Sequence, residues 1–177
     1  MLTSPFRASP INAGDLVVNN GEILRVRDEF KNISGTATFE NNASLIQVNN
    51  VSNSGNITYK RIAQQKRLDY VYWSSPVKNF NLNSHPSNGL KYLWNTTVTN
   101  SNGTQGNWQP ASGIMNAAKG YIISGPSSFN NSANQNLEVP FFENKVVSTD
   151  LVLCRVTPAG LFIVTVFNKV PDEGQYA

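Results

Sequence analysis

The sequence predicts an all-β fold in which a short β-solenoid of about three coils leads into a β-sandwich or jelly-roll-like region. Three observations carry this expectation. A strand-and-turn pattern opening on Gly14, Gly35 and Gly55 repeats through the first third. The chain is rich in asparagine and poor in charge. Short apolar runs separated by turn residues fill the remainder.

The repeat is read from those three glycines, which are almost evenly spaced. GDLVVN (14–19), GTATFE (35–40) and GNITYK (55–60) share one order: glycine, polar, small or branched apolar, β-former, apolar, polar. A second element, NNGEILRV (19–26), lines up with NNASLIQV (41–48) inside the same period. A repeat of this length made of strands and asparagine turns marks a solenoid, in which each coil buries its inward residues only against the next. Val18, Phe39 and Tyr59 should then stack in one column or in closely adjacent ones, with Ile23 above Leu45, Val26 above Val48, and Asn19/Asn20 laddered on Asn41/Asn42. The alternative is a plain meander of antiparallel hairpins. The repeat sets the expected segments at 1–60 and 61–177.

From Arg61 onward aromatic residues accumulate. RLDYVYWSSP (67–76) alternates as a strand, with Leu68, Tyr70 and Tyr72 on one face and Asp69, Val71 and Trp73 on the other, until Ser-Ser-Pro ends it. LKYLWNTTV (90–98) and AKGYIISGP (118–126) are further strands, joined through a polar loop TNSNGTQGNWQPASG (99–113) that holds Trp108. IMNAAKG (114–120) hints at one helical turn, and LVLCRV and GLFIVTVF add strands near the end. With no linker composition between Lys60 and Leu68, strand 68–73 is expected to cap the last coil at Ile57 and Tyr59. Short strands at this spacing suit a sandwich or jelly roll.

Composition narrows the functions. Charged residues form 14% of the chain, against roughly 25% in an average soluble domain. Asparagine, about one residue in seven, keeps the surface wet and suits turns by bonding nearby backbone and tolerating positive φ. A net charge of +3 with scattered basic residues shows no nucleic-acid motif. The cluster Lys60, Arg61, Lys66 and Arg67 reads as a solvated hairpin edge. The longest apolar run, LFIVTVF, is too short to span a bilayer, and MLTSPFRASP has no signal-peptide character. The single cysteine, Cys154, sits in an apolar run and reads as a buried small hydrophobe.

Catalytic and metal chemistry find little support. The one histidine, His85, lies in the turn NSHPSNG and reads as an exposed loop residue; no GxSxG elbow accompanies it. One histidine and one cysteine do not make an ordinary zinc site. Asp28/Glu29 and Asp172/Glu173 sit on turns rather than converging, and neither turn has calcium-loop spacing. No catalytic residue, metal or cofactor is expected. The aromatic set is the candidate for recognition: Tyr92, Trp94 and Trp108, with Trp73, Tyr70, Tyr72 and Tyr121, could form a platform stacking on the apolar faces of sugar rings. Trp73 and Trp94 read more readily as core, and Trp108 stands evenly between core and surface.

The succession ENNASLIQVNNVSNSGNITYKR (40–61), RLDYVYWSSPV (67–77), a segment containing NW and then KGYIISGP (119–126) resembles a module of large proteins of gliding bacteria. Those proteins are exported by the type IX secretion system and usually carry a C-terminal sorting domain. The resemblance spans about residues 14–129 and is most specific at YWSSPV and KGYII. It implies a non-enzymatic structural or adhesive region, extracellular or at the cell surface. The family's segment FNGVPNDG has a counterpart only in FNKVPDEG (167–174), after the long stretch 130–166. On this resemblance the chain is incomplete at both ends. The expected function is a non-catalytic structural or adhesive module. The alternatives are a carbohydrate-binding module using exposed aromatics, or an accessory region of a polysaccharide-degrading enzyme. The expected partner is a polysaccharide or cell-surface glycan, not nucleic acid.

Overall fold

The computed structural model describes residues 11–49, 51–116, 119–143, 151–156 and 162–167, the last two segments by their backbone alone. The side chain of Cys154, the segment 144–150 and the acidic turn at Asp172 and Glu173 lie outside the described residues. The protein is all-β, in several sheets, none of which closes on itself among the described residues.

One pass of the chain makes β1 (Ile11–Asn12), β2 (Leu16–Val18) and β3 (Ile23–Val26), and the next makes β4 (Lys31–Asn32), β5 (Ala37–Phe39) and β6 (Ser44–Gln47). Each strand pairs in parallel with its counterpart one pass on: Ile11 with Lys31, Leu16 with Ala37, Ile23 with Ser44. A third pass enters by a parallel bridge from Lys31 to Ser54 and continues as β7 (Ile57–Gln65), where Phe39 pairs in parallel with Tyr59. No antiparallel hairpin occurs among the described residues from Ile11 to Tyr59. Val18, Phe39 and Tyr59 share a column as the repeat predicts, and the Phe39 and Tyr59 rings stack at 4.8 Å and 23°.

The second repeat element departs from its expected register by one position. Leu24, not Ile23, faces Leu45, and Val26 faces Gln47 rather than Val48. The reason lies in the corner. Gly21 (φ 77°) and Asn42 (φ 61°) are the left-handed residues of successive turns, and each turn closes with the same bond, Glu22 N–H to Asn19 O and Ala43 N–H to Glu40 O. Left-handed backbone is tolerated by glycine and asparagine and by few others. These residues therefore set the register, with Gly21 matched to Asn42, and aligning the two Asn-Asn pairs misplaces it.

The expected ladder of Asn19/Asn20 on Asn41/Asn42 gives way to one elsewhere. Asn12 donates through Nδ2 to Asn32 Oδ1 at 2.8 Å, and buried Asn32 donates onward to the Asn56 carbonyl at 2.8 Å. Gly35 packs directly on the Gly14 backbone, whereas Gly55 packs on the Asn32 carbonyl, so the third glycine corner is displaced from the other two.

Beyond the repeat, β8 (Tyr70–Trp73), β9 (Lys91–Thr99), β10 (Gln105–Pro110) and β11 (Tyr121–Ser124) form an antiparallel sheet ordered β10-β9-β11-β8. Trp108 lies in β10, so the segment read as one long loop is a hairpin that turns tightly at Asn100–Gly103. Met115 is buried and Ile114 bridges to Asn81, while residues 117–118 of the expected helical turn lie outside the described residues; a 3-10 turn occurs at Leu82–Ser84. Strand β12 (Gln135–Glu143) pairs antiparallel with β7 along its whole length, from Gln135 opposite Gln65 to Glu143 opposite Ile57. The first large sheet is therefore ordered β12-β7-β5-β2. The free edge of the last pass is thus closed by β12, which supplies the backbone hydrogen bonds that an edge needs, while β8 packs beside β7 through Trp73 and Phe141. Strands β13 (Leu151–Val156) and β14 (Phe162–Phe167) form an antiparallel pair.

The two large sheets contribute to one continuous core running from Val18, Phe39 and Tyr59 through Trp73, Phe80 and Ile123 to Val139 and Phe141. Phe141 joins them, with its ring 4.5 Å from Phe80 and 6.0 Å from Trp73. The basic residues at the end of the repeat are structural and not merely solvated. Lys60 bridges Glu40 at 2.9 Å, and the Arg61 guanidinium donates to the Glu40, Lys60 and Ala43 carbonyls while lying 5.5 Å from the Tyr59 ring centre.

Candidate functional site

Side chains alternate across a strand, so one face of the β10-β9-β11-β8 sheet enters the core and the other meets solvent. On the inner face stand Trp73, Tyr121 and Ile123. The outer face carries Tyr70 and Tyr72 from β8, Tyr92 and Trp94 from β9, and Trp108 from β10. Register places Trp108 opposite Trp94, and both Tyr92 and Tyr72 opposite Ile122 of β11. The rings of β8 lean across β11, Tyr70 to 6.2 Å from Tyr92 and Tyr72 to 6.2 Å from Trp108, and Trp94 lies 5.2 Å from Trp108 on the neighbouring strand. Neighbouring rings are inclined by 53°, 52° and 72°, so they form a herringbone patch and not a coplanar row. The Trp94–Trp108 pair is edge-to-face, an arrangement that the ring quadrupole favours.

Trp94 is seated by a glycine. Between Gln105 and Asn107 the β9/β10 register shifts, and the residue in that bulge is Gly106, left-handed at φ 94°. A Cβ at position 106 would collide with the six-membered ring of the Trp94 indole. The bare backbone therefore lets the indole lie flat, leaving Trp94 42% exposed, while Tyr70 and Tyr72 are each 44% exposed. The structure brings Tyr92, Trp94 and Trp108 together on one face. Trp94 is at the surface and not in the core, Trp108 and Tyr92 are half-buried, and Trp73 is core.

His85 corrects the expectation of an exposed loop residue. It is buried at 4% exposure, its ring 5.1 Å from Trp73 in an edge-to-face contact. Nδ1 accepts the Ser87 backbone N–H, so the neutral ring carries its proton on Nε2. Burial, with a smaller contribution from Lys91, pushes its pKa down to about 3, so the ring stays neutral near pH 7. Proline and serine around a histidine look like a surface turn in sequence; only the packing against Trp73 reveals otherwise.

The acidic residues of the repeat hold successive passes together. Asp28 accepts from Asn49 Nδ2 at 2.6 Å, and Asp15 accepts from the Thr36 N–H and hydroxyl, which hold its carboxyl below the usual range. Among the described residues no three of His, Cys, Asp and Glu converge as a metal site would need. No helix among them is long and apolar enough to cross a membrane.

Sequence reasoning missed a cleft of about 210 Å³ behind the aromatic face, where the two large sheets meet. It is lined by the Asn41–Asn42 turn, by Arg61, Ile62 and Ala63 of β7, by residues 71–74 at β8, and by Phe141. The Asn-Asn pair is a visible signal in the sequence. That it faces β8 is a product of tertiary packing.

These features define the class: an all-β protein built on in-register parallel strands, with an aromatic sheet face. The profile of a domain of unknown function, DUF8693, matches residues 10–146, and the chain belongs to that family. No curated protein and no solved structure matches the chain.

Proposed function

We propose that the chain is a non-catalytic adhesive module of a secreted or cell-surface bacterial protein, and that it holds polysaccharide on its aromatic sheet face. The observation that carries this reading is the placement of Tyr70, Tyr72, Tyr92, Trp94 and Trp108 on one solvent-facing side. Monomeric proteins rarely expose contiguous aromatic area without a partner for it. Aromatic rings suit the C–H faces of pyranosides and need no charge, in keeping with a chain whose surface is wetted by amides. The resemblance to type IX secreted modules supports the extracellular setting.

In architecture the chain reads as a short β-solenoid of about three coils followed by a sandwich-like pair of sheets. The parallel pairing of Ile11 with Lys31, Leu16 with Ala37, Ile23 with Ser44 and Phe39 with Tyr59 supports the first part. The core shared between two four-stranded sheets supports the second.

Affinity electrophoresis of the intact chain in gels containing neutral polysaccharides tests the functional reading. Retardation by at least one glucan, xylan or mannan, abolished in Trp94→Ala, is expected. Unretarded migration in every gel, or undiminished retardation of the variant, overturns it.

A further inference from the structure

The cleft behind the aromatic face is not used by that reading, and it is built differently. Four consecutive residues, 71–74, line it. Side chains alternate along a strand, so four in succession can border one cavity only if the strand presents its edge. Strand β8 is the last of its sheet, with β11 on its other side. The opposite wall is the Asn41–Asn42 corner. Asn41 Oδ1 is committed to the Ile62 N–H at 2.9 Å, which fixes the corner against β7. Asn42, held left-handed at φ 61° and exposed at the mouth of the cleft, makes no side-chain hydrogen bond among the described residues. Trp73 and Phe141 close the cleft with aromatic surface.

The cleft thus combines a polar rim with an aromatic wall, has no carboxylate among its lining residues, and holds about 210 Å³. Pockets for drug-sized ligands begin at roughly 300 Å³, so the space suits a single small ring. Its rim residue Tyr72 also belongs to the outer patch, 6.2 Å from Trp108, which in turn lies 5.2 Å from Trp94. A continuous path therefore leads from the exposed indole of Trp94 over Trp108 and Tyr72 into the cleft.

We infer that the cleft is a terminal subsite: it takes one neutral sugar ring, the end or a branch of a glycan whose body lies along the aromatic face, and the Asn42 amide hydrogen-bonds that ring's hydroxyls. This rests on the glycan-binding reading above.

Two variants separate the cleft from the face. Asn42→Gly removes the amide while keeping a residue suited to left-handed backbone. Ile62→Trp, at a position 38% exposed on the cleft wall, fills the space from outside. The probe is the hexasaccharide of whichever polysaccharide retards the wild type most, with affinity measured by calorimetry on variants whose melting temperatures match the wild type. Each cleft variant is expected to weaken hexasaccharide binding by about tenfold, the scale of a lost hydrogen bond together with its ring contact. Trp94→Ala should weaken it independently. If both cleft variants bind as wild type while Trp94→Ala does not, the face acts alone and the subsite is wrong, with the glycan-binding reading intact. If no polysaccharide retards the wild type, both inferences fall together.

Discussion

Buried His85 makes stability depend on pH in a direction opposite to that of a salt-bridged histidine. Its folded pKa is pushed from 6.5 down to about 3, so between those values the unfolded chain binds the extra proton. Its contribution is fully present above about 6.5 and is lost as pH falls through that window, on the order of 3 kcal/mol by pH 4. Thermal melts between pH 7 and pH 4 should show a falling midpoint in the wild type and a shallower fall in His85→Phe; parallel curves would remove His85 as the cause. A second residue-scale expectation concerns Gly106. Alanine there must displace the Trp94 indole and adopt a left-handed φ, so Gly106→Ala should alter near-ultraviolet circular dichroism and lower stability by roughly 1–3 kcal/mol.

At the level of elements, the stack of passes depends on close backbone approach at its corners. Gly55 sits at φ 93° with the Asn32 carbonyl where a Cβ would be. Gly55→Ala should cost roughly 3 kcal/mol, combining backbone strain with displacement of the neighbouring pass, and chemical denaturation measures it. Strand β12 ends the first sheet, and Pro140, opposite Lys60, stands in the middle of this edge strand. Proline cannot donate to a ladder and is tolerated in sheets chiefly on edges, where it discourages further strand addition. Pro140→Val should leave the fold intact yet promote concentration-dependent association, detectable by light scattering. A variant as monodisperse as the wild type would mean that other features protect this edge.

On the scale of the whole molecule, the core joins the repeat to the aromatic sheet through Tyr59, Phe141, Phe80 and Trp73. Tyr59→Ala deletes a ring stacked on Phe39 and should cost about 3 kcal/mol, as large-to-small core changes do. All three tryptophans, Trp73, Trp94 and Trp108, lie outside the repeat. Their fluorescence therefore reports on one half while the substitution sits in the other. Fluorescence and far-ultraviolet melts should coincide and shift together in the variant; an unmoved fluorescence transition would show that the halves unfold separately.

Local pattern determined much of this protein. Period and composition sufficed for the all-β class, for the column of Val18, Phe39 and Tyr59, and for the two faces of the strand bearing Tyr70, Tyr72 and Trp73, because each follows from strand alternation or repeat spacing. Register within the second repeat element depended on which corner residue turns left-handed, and Asn42 resembles Asn41 too closely for spacing to decide it. Partners distant in sequence were settled by the tertiary structure. Strand β12 lies beside β7 although the whole aromatic sheet, β8 to β11, separates them along the chain. Nothing in either segment names the other, because backbone hydrogen bonding is indifferent to sequence. The same holds for the aromatic face. Tyr92, Trp94 and Trp108 could be read as a set, but whether an indole lies in the core or on the surface depends on which face of its sheet the core occupies. For Trp94 that depended also on a glycine across the hairpin with no side chain to hold the ring away.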